Sequence, residues 1–186
     1  MRIDVFVYIP ACNGEIIEIF KKMYHQVFIK RYHDDLFKLE IDSSLDEELM
    51  DFEMIHASII GDFSVDATFV VLDSMTYDYL GEEYIISFIN LLQHKVYKED
   101  DLLIEFSKYK QMKQMIKRNL VDFLGQDYVN TILMIAKSNM NLSISAKKLF
   151  LHRNSLNYRI DKIESMTGID IKTFKGLRAL VSILES

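Results

Sequence analysis

Between Asn141 and Gly168 the chain concentrates side chains that can hydrogen-bond to base edges and phosphate oxygens. Asn154 and Asn157 each carry an amide that can pair with adenine through two hydrogen bonds, and the Arg153 guanidinium can do the same with guanine. Ser143, Ser145, Lys147, Tyr158, Arg159 and Lys162 are the residue types that clamp phosphates. His152, Arg153 and Ser155 fall at the start of the second helical pattern in this stretch, the end that enters a major groove in two-helix DNA readers. Taking Leu156 as zero and advancing ~100° per residue, Ile160 and Ile163 return to within about 40° of it. Asn154, Asn157, Tyr158, Asp161 and Lys162 then occupy the opposite half. Arg159 lies at the edge of the apolar side, which suits a positioning role better than base contact. Asp161 is awkward beside phosphate and must pair with a neighbour or point away.

These groups need a frame. The pattern gives a helix over 127–137 with Tyr128, Ile132, Ile135 and Ala136 as its apolar face, then turn-forming residues over 138–141. A short helix over 143–150 follows, with Ala146 and Leu149 facing in. Leu151–His152 connects it to a helix over 154–166, which Gly168 ends in the position where a left-handed residue costs least. A closing helix over 173–184 carries Phe174, Leu177, Leu180, Val181 and Leu184. Two short helices joined tightly, with a small residue (Ala146) where they cross, describe a helix-turn-helix. A bulky side chain there would push the helices apart.

The first hundred residues alternate strand and helix. Ile3–Ile9 is β-branched or aromatic at nearly every position and reads as a strand, stopped by Pro10 and Asn13–Gly14. Glu15–Arg31 has near-helical apolar spacing and reads as one amphipathic helix. Leu36–Ile41 alternates as a half-buried strand. Ser43 and Ser44 before Asp46, Glu47 and Glu48 suit a helix start, with Leu45, Leu49, Phe52, Ile55 and Ile59 as its stripe. Met54–Ile60 fits a strand as well as a helix. Gly61–Asp62 reads as a turn, Ala67–Leu72 as a strand and Glu82–Leu92 as a helix. A single helix is expected from Asp101 to Leu120; its apolar step approximates a heptad, which fits a dimer seam and packing within one chain equally.

Charge divides the chain. Residues 1–106 hold 8 Lys/Arg against 22 Asp/Glu, a balance of −14, while residues 107–186 hold 14 against 6, a balance of +8. A basic segment of this size on a protein of net charge −6 points to a polyanion partner or to a lysine-rich solvated surface. The composition, 49% apolar and 27% charged, is globular. The longest uncharged stretch, Tyr84–His94, is too short to span a bilayer, which needs ~20 residues. The start of the chain lacks a basic, then apolar, secretory pattern, and the single cysteine, Cys12, excludes an intramolecular disulfide. Together these features point to the cytoplasm, with no membrane partner. His25, His33, His56 and His94 lack metal-ligand spacing, Cys12 sits in no nucleophile motif, and the glycines form no phosphate-cradling loop. Paired acids such as Asp34–Asp35, Glu82–Glu83 and Asp100–Asp101 read as loop or helix-start residues. No catalytic residues, metal site or cofactor are expected, and the chain is not read as an enzyme.

The run His152-Arg-Asn-Ser-Leu156, continued by Tyr158, Arg159, Ile160, Ile163, Glu164, Thr167 and Gly168, resembles the C-terminal helix-turn-helix of the PucR/CdaR group of bacterial transcription regulators. The likeness is ungapped and extends over roughly residues 126–186. It implies binding of double-stranded DNA and control of transcription. It also implies a homodimer, because one such motif reads only a short half-site. Members of the group usually carry a longer sensory part and a middle GGDEF-like domain; this chain has no Gly-Gly-Asp-Glu-Phe run. Its first lobe therefore reads as a reduced α/β module for dimerisation or for sensing an unidentified effector. The expected architecture is α+β: an acidic α/β lobe with a mixed sheet over 1–98, a connecting helix over 99–125 and a basic helix-turn-helix domain over 126–186. The runner-up is a protein-interaction module that reuses the helix-turn-helix fold without reading DNA.

Overall fold

Alternation in Arg2–Tyr8 (β1) sends Val5 and Val7 to one side and Asp4 and Phe6 to the other, and all four are buried. β1 is the central strand of a five-stranded mixed sheet of order β2-β3-β1-β4-β5. The computed structural model of the chain describes residues 2–10, 15–24, 27–42, 51–73 and 77–185. It divides into two compact units, Met1–Ser74 with Glu82–Lys98, and Met75–Gly81 with Glu99–Ser186. The N-terminal mixed sheet and C-terminal helix-turn-helix give the α+β architecture that the residue patterns imply.

In the first unit, β1 pairs antiparallel with β3 (Leu36–Asp42) and β4 (Thr68–Asp73). β2 (Val27–His33) pairs antiparallel with β3, and the two-residue β5 (Val96–Tyr97) runs parallel to β4. One sheet face packs Val5, Val7, Phe37, Leu39 and Phe69 with Ile16 and Phe20 of α1 (Glu15–Met23) and with Ile55 and Ile59 of α2 (Phe52–Phe63). Residues Glu82–Phe88 form α4, which a 3-10 turn, Ile89–Leu91, extends.

Several expectations change here. The helix read over 15–31 ends at Met23, and Val27–His33 is the edge strand β2. Val27, Phe28, Ile29 and Tyr32 are β-branched or aromatic, and pairing through the Asp34–Asp35 turn outweighs their helical spacing. β3 is almost wholly buried rather than half-buried, because it lies between β1 and β2. Met54–Ile60 is helical, and α2 continues through Gly61 and Asp62 instead of turning, ending at Ser64 with φ 51°. Asp51 caps that helix by accepting the Met54 N–H at 3.0 Å. The helix start read over residues 43–50, and Cys12, Asn13–Gly14 and His25, lie outside the described residues.

The polar face of the sheet holds a matched set of charges. The Lys38 ammonium lies 2.9 Å from Glu40, 3.4 Å from Glu82 and 3.6 Å from Asp4, with its side chain only 4% exposed. Arg2 pairs with Asp4 and Glu40, Lys30 pairs with Glu82, and the Tyr32 hydroxyl donates to Glu82. Glu82 therefore completes an ion network as well as opening a helix.

In the second unit, the expected single helix from Asp101 to Leu120 is two: α5 (Glu99–Phe106) and α6 (Lys110–Leu124), separated at Ser107–Tyr109. Leu102, Leu103, Phe106, Met112, Ile116 and Leu120 are buried within the chain, so this stripe serves internal packing rather than a dimer seam. α3 (Tyr77–Leu80) packs against α6, and Asn119 donates to the Tyr79 carbonyl at 3.3 Å. Burial, reinforced by the charge of Glu99, pushes the Tyr79 phenol well above its ordinary range. It stays protonated and donates to the Thr167 carbonyl at 3.1 Å.

Candidate nucleic-acid interface

α7 (Gln126–Lys137), α8 (Leu142–Lys148), α9 (Arg153–Thr167) and α10 (Phe174–Leu184) build the C-terminal region. α7 turns Val129, Thr131, Ile132 and Ile135 inward; Tyr128 and Ala136, expected on that face, are only half-buried. Asn139 and Met140 take positive φ in the turn, and Asn141 starts α8 by accepting the Ile144 N–H at 3.0 Å. Ala146 is buried, as a close α8–α9 approach requires. The connection reverses at Phe150, whose φ is 56°, and the Leu151 N–H bonds the Ala146 carbonyl at 2.9 Å.

His152 caps α9. Its Nδ1 accepts the Asn154 N–H at 3.3 Å, which leaves Nε2 as the outward nitrogen of the ring. Leu156, Ile160 and Ile163 are buried on one side of α9. Gly168 closes the helix with φ 71°. The first turn of α9 carries no acid, so the positive end of its dipole is uncompensated there.

Most of the expected residues are exposed. Ser143, Lys147, His152, Arg153, Asn154, Ser155, Tyr158 and Lys162 are exposed, and Asn157 is half-buried. Among the described residues, no acid lies within 4 Å of the charged ends of Lys147, Arg153 or Lys162, whereas neighbouring cations are engaged. Arg159 donates to the Asp127 carbonyl at 3.3 Å and to Thr131 Oγ1 at 3.2 Å, and it pairs with the Asp127 carboxylate. It fastens α9 to α7, the positioning role its place on the helix suggests. Asp161 is taken by Lys172 at 2.7 Å, and that hydrogen bond is the main influence holding the Lys172 ammonium above its ordinary value. Burial alone would lower Lys175, but hydrogen bonds to Asp101 and Asp100 outweigh it and raise the group.

Ser145 is the exception. It is fully buried, and its hydroxyl donates to the Asn141 carbonyl at 2.8 Å, so it braces α8 and does not reach the surface. The seven-residue helix turns position 145 inward beside Ala146, a phase that a polar residue type conceals. Phe174, expected in the core, is 71% exposed because it opens α10 just after the Thr173 cap. Residue-type reasoning missed Lys148, exposed beside Lys147 at the end of α8, and Gly176. A Cβ on Gly176 would sit 2.2 Å from the Asp170 carbonyl oxygen, so only glycine admits the close approach of that loop to α10. A lone glycine inside a helical pattern was the available signal.

Comparison with known proteins adds relatives and a family match. Uncharacterized protein YxkF of Bacillus subtilis (strain 168) is 56% identical over 46 residues, which cover 25% of this chain and 16% of that protein. The proline-responsive transcriptional activator PutR of the same organism is 30% identical over 71 residues, 38% of this chain and 17% of PutR. The matched segment thus spans about a sixth of either curated relative. The crystal structure of a regulator of polyketide synthase expression from Bifidobacterium adolescentis aligns with 98% of this chain and 78% of its own, at 14% identity and TM-score 0.47. The family model for the PucR C-terminal helix-turn-helix domain matches residues 128–185, from within α7 to just past the end of α10.

Proposed function

We propose that this chain is a sequence-specific DNA-binding transcription regulator that acts as a homodimer in the cytoplasm and carries out no catalysis. The observation that supports this reading best is the exposed side of α9. Arg153, Asn154, Ser155 and Lys162 are exposed and, unlike Arg159, Lys172 and Lys175, none is in an ion pair among the described residues. In this reading α9 enters the major groove, with Arg153, Asn154 and Asn157 against base edges. Ser143, Lys147 and Lys162 hold phosphates, and α8 crosses the backbone. Tyr158 and the outward nitrogen of His152 flank the contact. The relatives support the same assignment, since PutR is a transcriptional activator. No helix among the described residues is long and apolar enough to cross a membrane.

One observation favours a second reading, in which the domain binds a protein instead. Ile144 and Phe150 lie exposed on α8 and its turn, Phe150 at 96%. Charge reversal separates the two. Arg153→Glu with Lys162→Glu should remove salt-sensitive duplex binding, measured by fluorescence anisotropy on genomic fragments. The unmodified chain, making about 6–10 phosphate contacts, should lose about 10³–10⁵ in affinity between about 50 and 200 mM salt. Sequencing the retained fragments should give a paired motif. A folded chain that binds no duplex at low salt would favour the protein-interaction reading.

A further inference from the structure

A second basic feature of the helical unit lies outside α8 and α9. Lys110, Lys113 and Lys117 stand three and four residues apart on α6 and form one stripe along it. With Lys108, Gln114 and Glu185 they line a concavity of about 500 Å³. Lys108 is tied to Glu105 at 2.6 Å. Among the described residues no acid lies within 4 Å of the ammonium groups of Lys110, Lys113 or Lys117. Lys113 and Lys117 are half-buried, which strips part of their hydration and strengthens their attraction for an anion. The field is reinforced at the start of α6, whose first turn holds no acid. Like charges at this spacing repel one another, so the stripe is destabilised until an anion neutralises it.

We propose that this cleft binds a small polyanion carrying two or more linked phosphate groups. The three lysines extend about 10 Å along the helix axis. A single phosphate meets one or two of them, whereas a chain of two or three phosphates spans the stripe with enough charge to engage all three. A concave site of this volume suits a compact ligand, while a duplex meets convex ridges and helix ends. Gln114 adds a donor and an acceptor for the remainder of the ligand, and the Glu185 carboxylate in the same lining opposes the anion, which leaves the lysines to supply the attraction. α6 packs against α7 and α10, which belong to the frame of the helix-turn-helix. Any effect of the ligand on DNA binding rests on the function proposed above, but binding itself does not.

The test is calorimetric titration of the full chain with inorganic tripolyphosphate, without DNA. Saturable one-to-one binding is expected, with orthophosphate at least about tenfold weaker. Lys113→Gln with Lys117→Gln should weaken tripolyphosphate at least about tenfold and leave the melting curve intact, because glutamine is an equally good helix former. Arg153→Gln with Lys162→Gln should leave this binding unchanged even if it abolishes duplex binding, so the two proposals fail separately. The inference is overturned by absence of saturable binding or by binding that survives the α6 substitutions. It is also overturned by binding that disappears with the α9 pair, which would place the anion on the helix-turn-helix surface. Loss of duplex affinity in the α6 pair without any tripolyphosphate binding would assign the stripe to DNA phosphates and overturn it as well.

Discussion

The sheet unit and the helical unit both contain clusters of cations, but they treat them differently. In the sheet unit, Lys38 is withdrawn from solvent and surrounded by Asp4, Glu40 and Glu82, while Arg2 and Lys30 complete the set. In the helical unit, Lys147, Arg153 and Lys162 on α8 and α9 and Lys110 on α6 are exposed, Lys113 and Lys117 are half-buried, and none has an acid within 4 Å among the described residues. Matched buried charges confer little net stability but are costly to break. Unmatched exposed charges contribute nothing to folding and remain available to a ligand. The density of lysine and arginine therefore says less about function than whether each one already has a partner.

The sharpest test of this contrast removes one cation from each side. Lys38→Met deletes the buried cation shared by Asp4, Glu40 and Glu82 and leaves Asp4, fully buried on β1, paired with Arg2 alone among the described residues. Loss of one partner of a buried pair costs about 3–5 kcal/mol, so denaturant unfolding should show a large fall in stability of the sheet unit. Lys162→Met, on the exposed face of α9, should stay within about 0.5 kcal/mol of the parent. Equal losses in the two variants would break the comparison, because Lys162 would then have to carry a structural load.

A smaller effect is expected at the α8–α9 crossing, where geometry rather than charge is at stake. Ala146→Leu inserts three carbons where the side chain is 5% exposed. Overpacking of this kind costs about 1–3 kcal/mol. It should also lower duplex affinity without altering any group that faces the duplex, since α8 and α9 would be forced apart. Retained affinity with unchanged stability would mean that the crossing tolerates bulk and that the small residue there is incidental.

How much of this was readable from the residues differs between the units for a physical reason. In the C-terminal region local signals agree with one another: Asn141 and Thr173 cap helices, Gly168 ends one, and Leu156, Ile160 and Ile163 keep one phase. In the sheet unit the decisive interactions are long-range. Val27–Tyr32 has apolar spacing that continues α1, and only pairing with β3 makes it a strand. Gly61 resembles a turn residue, yet nothing crowds it and α2 runs on. The state of each charged residue was legible least of all. No spacing rule places Glu82 beside Lys38, forty-four positions apart, or assigns Arg159 to Asp127 rather than to a phosphate.

The two arginines of α9 compress the comparison into a single helix. Arg159 makes three contacts with α7, to the Asp127 carbonyl, the Asp127 carboxylate and Thr131 Oγ1. The carboxylate is 79% exposed, so that ion pair adds little, and the stability at stake is mainly the two neutral-acceptor bonds, about 1–2 kcal/mol together. Thr131 keeps its own bond to the Asp127 carbonyl, so removing Arg159 strands no hydroxyl. Arg159→Gln should therefore lower unfolding stability by that amount and weaken duplex binding only through looser placement of α9. Arg153, six residues earlier, is exposed and has no acid within 4 Å among the described residues. Arg153→Gln should leave stability within about 0.5 kcal/mol and cost about 1–3 kcal/mol in duplex affinity, concentrated on one base position. Paired denaturation and anisotropy titrations of the two variants read both quantities. If Arg153→Gln destabilises the fold while Arg159→Gln leaves stability unchanged and costs affinity at one base position, their roles are exchanged, and exposure without an acid partner ceases to mark the residues that meet DNA.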